Sequence, residues 1–156
     1  MREIIYKILV FLGLINEKKE IIREGTIYQK RNLMTNYEYK FYQNIKELED
    51  EYQIVPQLNL AAVTKKINNN RYYSELFRNI DFAIFSKDYQ ELLLLIEIND
   101  QTHNNYNRRD RDMKVKKICN DIGVKLITFY TKYPNEKTYV INRIKNELDT
   151  NKDINK

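Results

Sequence analysis

Two acidic residues stand in apolar surroundings. Asp81 lies at the start of the run "IDFAIF", and Glu97 near the end of "LLLLIEI". The polar stretch "SKDYQE" between them is short, so the two runs read as the strands of a β-hairpin. Pairing about Tyr89 sets Asp81 directly opposite Glu97. Opposed side chains of an antiparallel pair have Cβ atoms about 4.5–5.5 Å apart. Two carboxylates at that spacing repel unless something neutralises them. A divalent cation does so, since Mg²⁺ favours carboxylates together with water and phosphate oxygens. Bound there, it polarises a phosphate and activates a water. A slip of one residue in register would send the two acids to opposite faces. The plainer alternative is that charged residues at strand ends simply meet solvent.

The residues after Glu97 are unusual as well. "NDQTHNNYNRRDRD" holds the chain's single histidine, His103, and a mixed-charge cluster. Arg108, Arg109, Arg111, Lys114, Lys116 and Lys117 crowd one stretch, interleaved with Asp110 and Asp112. Basic residues beside a cleft bind phosphates and make affinity fall with salt. A run of mixed sign is also the ordinary look of a solvated helix face. The formal net charge is +5 and the isoelectric point about 9.1, which fits an anionic partner such as nucleic acid. A general richness in Lys, Ile and Asn accounts for part of that basicity. No helix-turn-helix or zinc-finger pattern is present, so contact to nucleic acid would be mainly to its backbone. Tyrosines such as Tyr37, Tyr39, Tyr42 and Tyr72 can stack on bases or pack on the sheet.

The 156 residues suit one compact domain with a core. The single cysteine, Cys119, forms no internal disulfide and no zinc cluster, which points to a reducing, cytoplasmic setting and a core role on a helix face. At the N-terminus, the apolar part of "MREIIYKILVFLGLI" is shorter than the about 20 residues a membrane span takes. "NEKKE" follows it in place of a cleavage site. A packed or loosely attached helix is therefore expected before a membrane anchor.

Positioning elements follow from periodicity. Residues 1–33 read as a helical leader and connector, 34–148 as the main domain and 149–156 as a polar tail. Thr35 and Glu38 form a capping-box pattern, and Phe41, Ile45 and Leu48 recur at helical spacing. "QIVPQLNLAAV" reads as a strand with a proline, hence an edge strand or a strand start. The second hairpin strand is apolar on both faces, as a central strand is. "RRDRDMKVKKICNDIG" is a helix with Val115, Ile118, Cys119 and Ile122 on its apolar face and Gly123 as its stop. "VKLITFY" is a further strand, parallel to the one before the helix. "NEKTYVINRIKNELD" closes the domain as a helix. The expected fold is α/β, a mixed sheet flanked by helices.

The segments "TNYEYKFYQNI", "YQIVPQLNL", "FRNIDFAIF", "LLIEINDQTH" and "RRDRDMKVKKICNDIGVKLITFY" resemble, in that order, an uncharacterised bacterial domain-of-unknown-function family. That family is similar to the restriction-endonuclease-like PD-(D/E)XK nucleases, in the very-short-patch-repair-type branch. The resemblance covers Met34 to Ile144. It implies a restriction-endonuclease-like sheet with Asp81 and Glu97 as Mg²⁺ ligands and the Ile98 carbonyl as a third. Asn99 stands where the motif has lysine, which would position the water and stabilise phosphate charge. Lys114 or Arg109 of the next helix are candidate substitutes. Asp100 matches an acidic residue of the related branch without its glycine. His103 matches a trailing histidine that would act as base or orient a water. Arg109 and Asp110 match a charged pair at the helix start. Glu38 matches a first-helix glutamate near the metal, and Gln57 a supporting polar residue.

The expected function is Mg²⁺-dependent phosphodiester hydrolysis on nucleic acid, DNA before RNA. Two other readings stand beside it: a binding module that kept the fold and lost catalysis, and a small accessory domain.

Overall fold

The computed structural model describes residues 27–67, 74–99 and 106–154. By its internal contacts the chain divides into Met1–Arg31 and Asn32–Lys156. The expected N-terminal helix lies outside the described residues; residues 27–31 carry no regular structure.

The larger unit begins with α1, Asn36–Ile45. Its first turn leaves backbone N–H groups that the helix itself cannot satisfy. The capping box supplies them: the Thr35 N–H donates to Glu38 Oε2 at 2.7 Å, and the Glu38 N–H to Thr35 Oγ1 at 3.3 Å. Phe41 and Ile45 face inward at the expected spacing, and Leu48 continues the stripe on a 3₁₀ turn, Lys46–Asp50.

Four strands follow: β1 Gln53–Asn59, β2 Asn79–Phe85, β3 Leu92–Asn99 and β4 Lys125–Tyr130. They lie side by side in the order of the chain. Pro56, which has no N–H to give to the ladder, sits on β1 at the sheet edge. β2 and β3 form the expected antiparallel hairpin, with Phe82 opposite Ile96 and Ala83 opposite Leu95. The helix α2, Tyr106–Asp121, joins β3 to β4, which run parallel. Inside the sheet, β3 has Leu94, Leu95 and Ile96 wholly buried. The chain ends in α3, Lys137–Ile154.

Each face of the sheet has its own core. One is built from Phe82, Ile84, Leu94, Ile96, Ile127 and Phe129 against α1 and α3. The other sets Ile80, Ala83, Phe85 and Leu95 against Val115 and Cys119 of α2. Cys119 is thus the core residue expected. Burial first, and the charge of Glu97 second, push its thiol up to about 11, so it stays protonated and unreactive. The helix stops at Gly123, whose φ of +69° suits a residue without Cβ. The Val124 N–H returns to the Cys119 carbonyl at 3.0 Å.

Among the described residues no helix is long and apolar enough to cross a membrane.

Candidate functional site

The open end of the hairpin gathers the sequence candidates. The β2–β3 register, carried one residue past Phe82 and Ile96, sets Asp81 across from Glu97. Their side chains nevertheless turn apart. Glu97 lies two residues beyond Leu95, on the α2 side of β3. There it acts on Cys119 and lines an open cavity of roughly 310 Å³ with Phe77, Arg78, Asn79 and Val115. Asp81 leans toward α1. Its Oδ2 accepts the Ile98 N–H at 2.7 Å, and its carboxyl contacts that of Glu38.

Local backbone geometry accounts for the lean. Gln57 has φ +53°, a left-handed conformation uncommon outside glycine. The β1–β2 ladder pairs Pro56 with Phe82 and Leu58 with Ile80, and breaks at Gln57 and Asp81 between them. Strand alternation fails at the same place. Ile80 and Ala83 share the α2-side core while Phe82 faces the other one. Asp81 thus sits at an irregularity and can turn its carboxylate toward a β3 amide.

The electrostatics of Asp81 are those of a poorly solvated acid. Burial raises its pKa to about 6, the Ile98 N–H pulls it down, and Glu38 pushes it up. Glu38 therefore has two jobs. One oxygen closes the capping box, and the carboxylate also crowds Asp81.

The other candidates spread more widely. Asn99 ends β3 half-buried, paired with Tyr130 of β4. Lys114 is exposed and holds Asp110 at 2.7 Å, one turn back on α2. Lys117 holds Asp121 in the same way, and Lys116 is exposed. Arg108 and Arg109 belong to α2, with side chains outside the described residues. Asp100, His103 and Tyr72 lie outside the described residues altogether. Among the described residues no three His, Cys, Asp or Glu side chains gather closely enough to hold a metal.

One residue of this region, Asn135, is not marked by any motif. Asn135, buried and at φ +43°, donates from Nδ2 to Tyr37 Oη at 2.8 Å and to the Tyr130 carbonyl at 2.9 Å. Its own carbonyl accepts from Asn44 Nδ2. It clamps α1 to the end of β4. Its place after Pro134, just before a helix, is the turn signal that sequence offered. Tyr42 packs parallel to Phe82, with centroids 6.5 Å apart, so it belongs to the core.

Residues 30–150 match a family model described as "Protein of unknown function (DUF2726)". The chain belongs to this family. The DUF2726 match takes in Glu38, Gln57, Asp81, Glu97, Asn99 and Asn135, hence every element of the sheet. A Haemophilus influenzae protein described as uncharacterized is 23% identical over 110 residues. The alignment covers 68% of this chain and 57% of that relative, so the chain spans little more than half the relative's length. No solved structure matches the chain.

Proposed function

We propose that this DUF2726 domain is a restriction-endonuclease-like, Mg²⁺-dependent module that hydrolyses phosphodiester bonds of DNA or RNA in the cytoplasm. The observation that carries the reading is Asp81. It is a partly buried carboxylate at the open end of a hairpin, crowded by Glu38, beside the carboxyl end of a parallel strand. The element order α-β-β-β-α-β agrees with such a fold, which is an argument by analogy.

The donor chemistry fits a hard cation. Glu38 and Asp81 are paired acids whose repulsion a divalent ion would relieve. Asp81, Glu38 and the Ile98 carbonyl are the oxygens that would hold it, and Glu97, turned to the α2 side of β3, would have to swing round to join them. When bound, Mg²⁺ supplies a polarised phosphate oxygen and a more acidic water. The chain's own part is positioning. The Ile98 amide fixes one Asp81 oxygen, and the capping box fixes Glu38. Asn99 can hydrogen-bond a phosphate but adds no charge. His103 would take the proton of the attacking water.

A second reading is a binding module without catalysis. It is favoured by Asn99 at the place of the motif lysine, and by Lys114 being held on Asp110. The deciding assay is Mg²⁺-dependent cleavage of single- and double-stranded DNA and RNA. Asp81→Ala and Glu97→Ala should each lower the rate at least on the order of a hundredfold, the upper end of what loss of a supporting residue costs a metal site. Cleavage indifferent to both substitutions would remove the site, and salt-sensitive binding with no cleavage would leave the second reading.

A further inference from the structure

The end of β4 carries a surface that the carboxylates do not explain. Tyr130 is the last residue of the strand, and a tight turn follows in which the Tyr133 N–H donates to the Tyr130 carbonyl at 3.1 Å. The two rings meet edge to face, centroids 6.4 Å apart. Lys132 places its ammonium 5.0 Å from the centre of the Tyr133 ring and 5.8 Å from that of Tyr130. Tyr133 is 55% exposed.

This arrangement is held from beneath. Asn135 fixes the Tyr130 carbonyl and ties it to Tyr37 of α1. The Thr131 N–H donates to the Asn99 carbonyl at 3.1 Å. A core of sheet and helix therefore presents the rings with little freedom left to lose on binding. The patch also adjoins the candidate site. Tyr130 is paired with Asn99 and Thr128 with Glu97 across the parallel strands, and the next amide back, that of Ile98, holds Asp81. Ligands of α/β sheets gather outside the carboxyl ends of the strands, where this patch lies.

We propose that Tyr130, Lys132 and Tyr133 form a binding platform for single-stranded nucleic acid. The exposed ring of Tyr133, backed by the half-buried Tyr130, takes the face of an unstacked base, and the adjacent cation takes a neighbouring phosphate. A duplex keeps its bases stacked inside and offers the rings nothing equivalent. The proposal rests on the nucleic-acid reading above and adds the strand class.

The test is binding in EDTA, so that cleavage plays no part. Fluorescence anisotropy with labelled twelve-nucleotide dT and rU strands, and a blunt duplex of equal length, separates the classes. Both single strands should bind more tightly than the duplex. Tyr133→Ala should weaken them about tenfold, the loss of one stacked base, while Tyr133→Phe keeps the affinity. Lys132→Ala should lower the slope of log affinity against log salt by about 0.7, one phosphate contact on a single strand. Thermal unfolding shows whether each variant is folded; Tyr133 is on the surface, so all should be. Tyr133→Ala within twofold of the parent, or a duplex bound more tightly than the strands, overturns the platform. Absence of cleavage with these affinities intact would sink the enzyme reading alone.

Discussion

The two ends of the β2–β3 hairpin each hold an aspartate, and the two are treated in opposite ways. At the turn end, Asp88 Oδ1 accepts from the Ser86 hydroxyl at 2.6 Å and from the Gln90 N–H at 3.1 Å. The Ser86 hydroxyl in turn accepts the Glu91 N–H. Asp88 is exposed, and these donors hold its carboxyl below the ordinary range. At the open end, Asp81 receives one amide donor, loses most of its water and meets another acid. Its pKa rises to about 6. The turn acid is a folding device satisfied by its neighbours in sequence. The open-end acid is held at a cost to stability, the kind of perturbed carboxyl that is a candidate for a functional site.

Replacing Asp81 should break this contrast most strongly. An acid whose folded pKa is raised costs stability as pH climbs from its ordinary value to the folded one. Between 3.8 and about 6 the fold loses on the order of 3 kcal/mol to the Asp81 charge, and the loss is complete above that. Asp81→Asn keeps an oxygen for the Ile98 amide and removes the charge. It should raise stability at pH 7.5 by roughly 1–3 kcal/mol, with the gain vanishing below about pH 4. Denaturant unfolding at both pH values checks it. A variant less stable than the parent at pH 7.5 would mean that Asp81 is a structural acid like Asp88. A stabilised variant that also loses cleavage would be the trade expected of a functional site.

Glu38→Gln sharpens the comparison further. Glutamine serves a capping box, so α1 should keep its start. Asp81 loses its acidic neighbour, and its pKa should fall from about 6 toward the ordinary value without reaching it, because burial is the larger cause. Carbon-detected NMR titration of the Asp81 carboxyl measures this. No movement would place Glu38 outside the site.

Local rules made half of this legible. Thr35 and Glu38 announce the capping box because its partners lie three residues apart. "IDFAIF" and "LLLLIEI" announce their register because a six-residue connector leaves little choice of pairing. The crossover from β3 to β4 follows from a helix-length insertion between two apolar runs. What failed to show was where Asp81 would turn. Alternation places it against Glu97, but the turn depends on the conformation of Gln57 on a neighbouring strand and on Glu38 far upstream. The Asn135 clamp is hidden for the same reason, since its partner Tyr37 is 98 residues away. Contacts between distant segments depend on the finished sheet, which no short window of sequence contains.

The turn end supplies the control and the smallest expected effect. A carboxyl held below its ordinary pKa stabilises the fold above that ordinary value. The contribution is lost as pH falls through the lowered one. Asp88→Ala should therefore lower the melting temperature slightly at pH 7 and leave it unchanged in strong acid, the reverse of Asp81→Asn. The Ser86 hydroxyl and Gln90 amide return to water when their acceptor goes, because both lie on the surface, so little else is disturbed. Binding to the dT strand in EDTA should not change, since the turn lies at the far end of the hairpin from Asn99 and Tyr130. If Asp88→Ala weakened that binding as much as Tyr133→Ala, the two ends would not be separate in function, and the contrast between a folding acid and a site acid would fail.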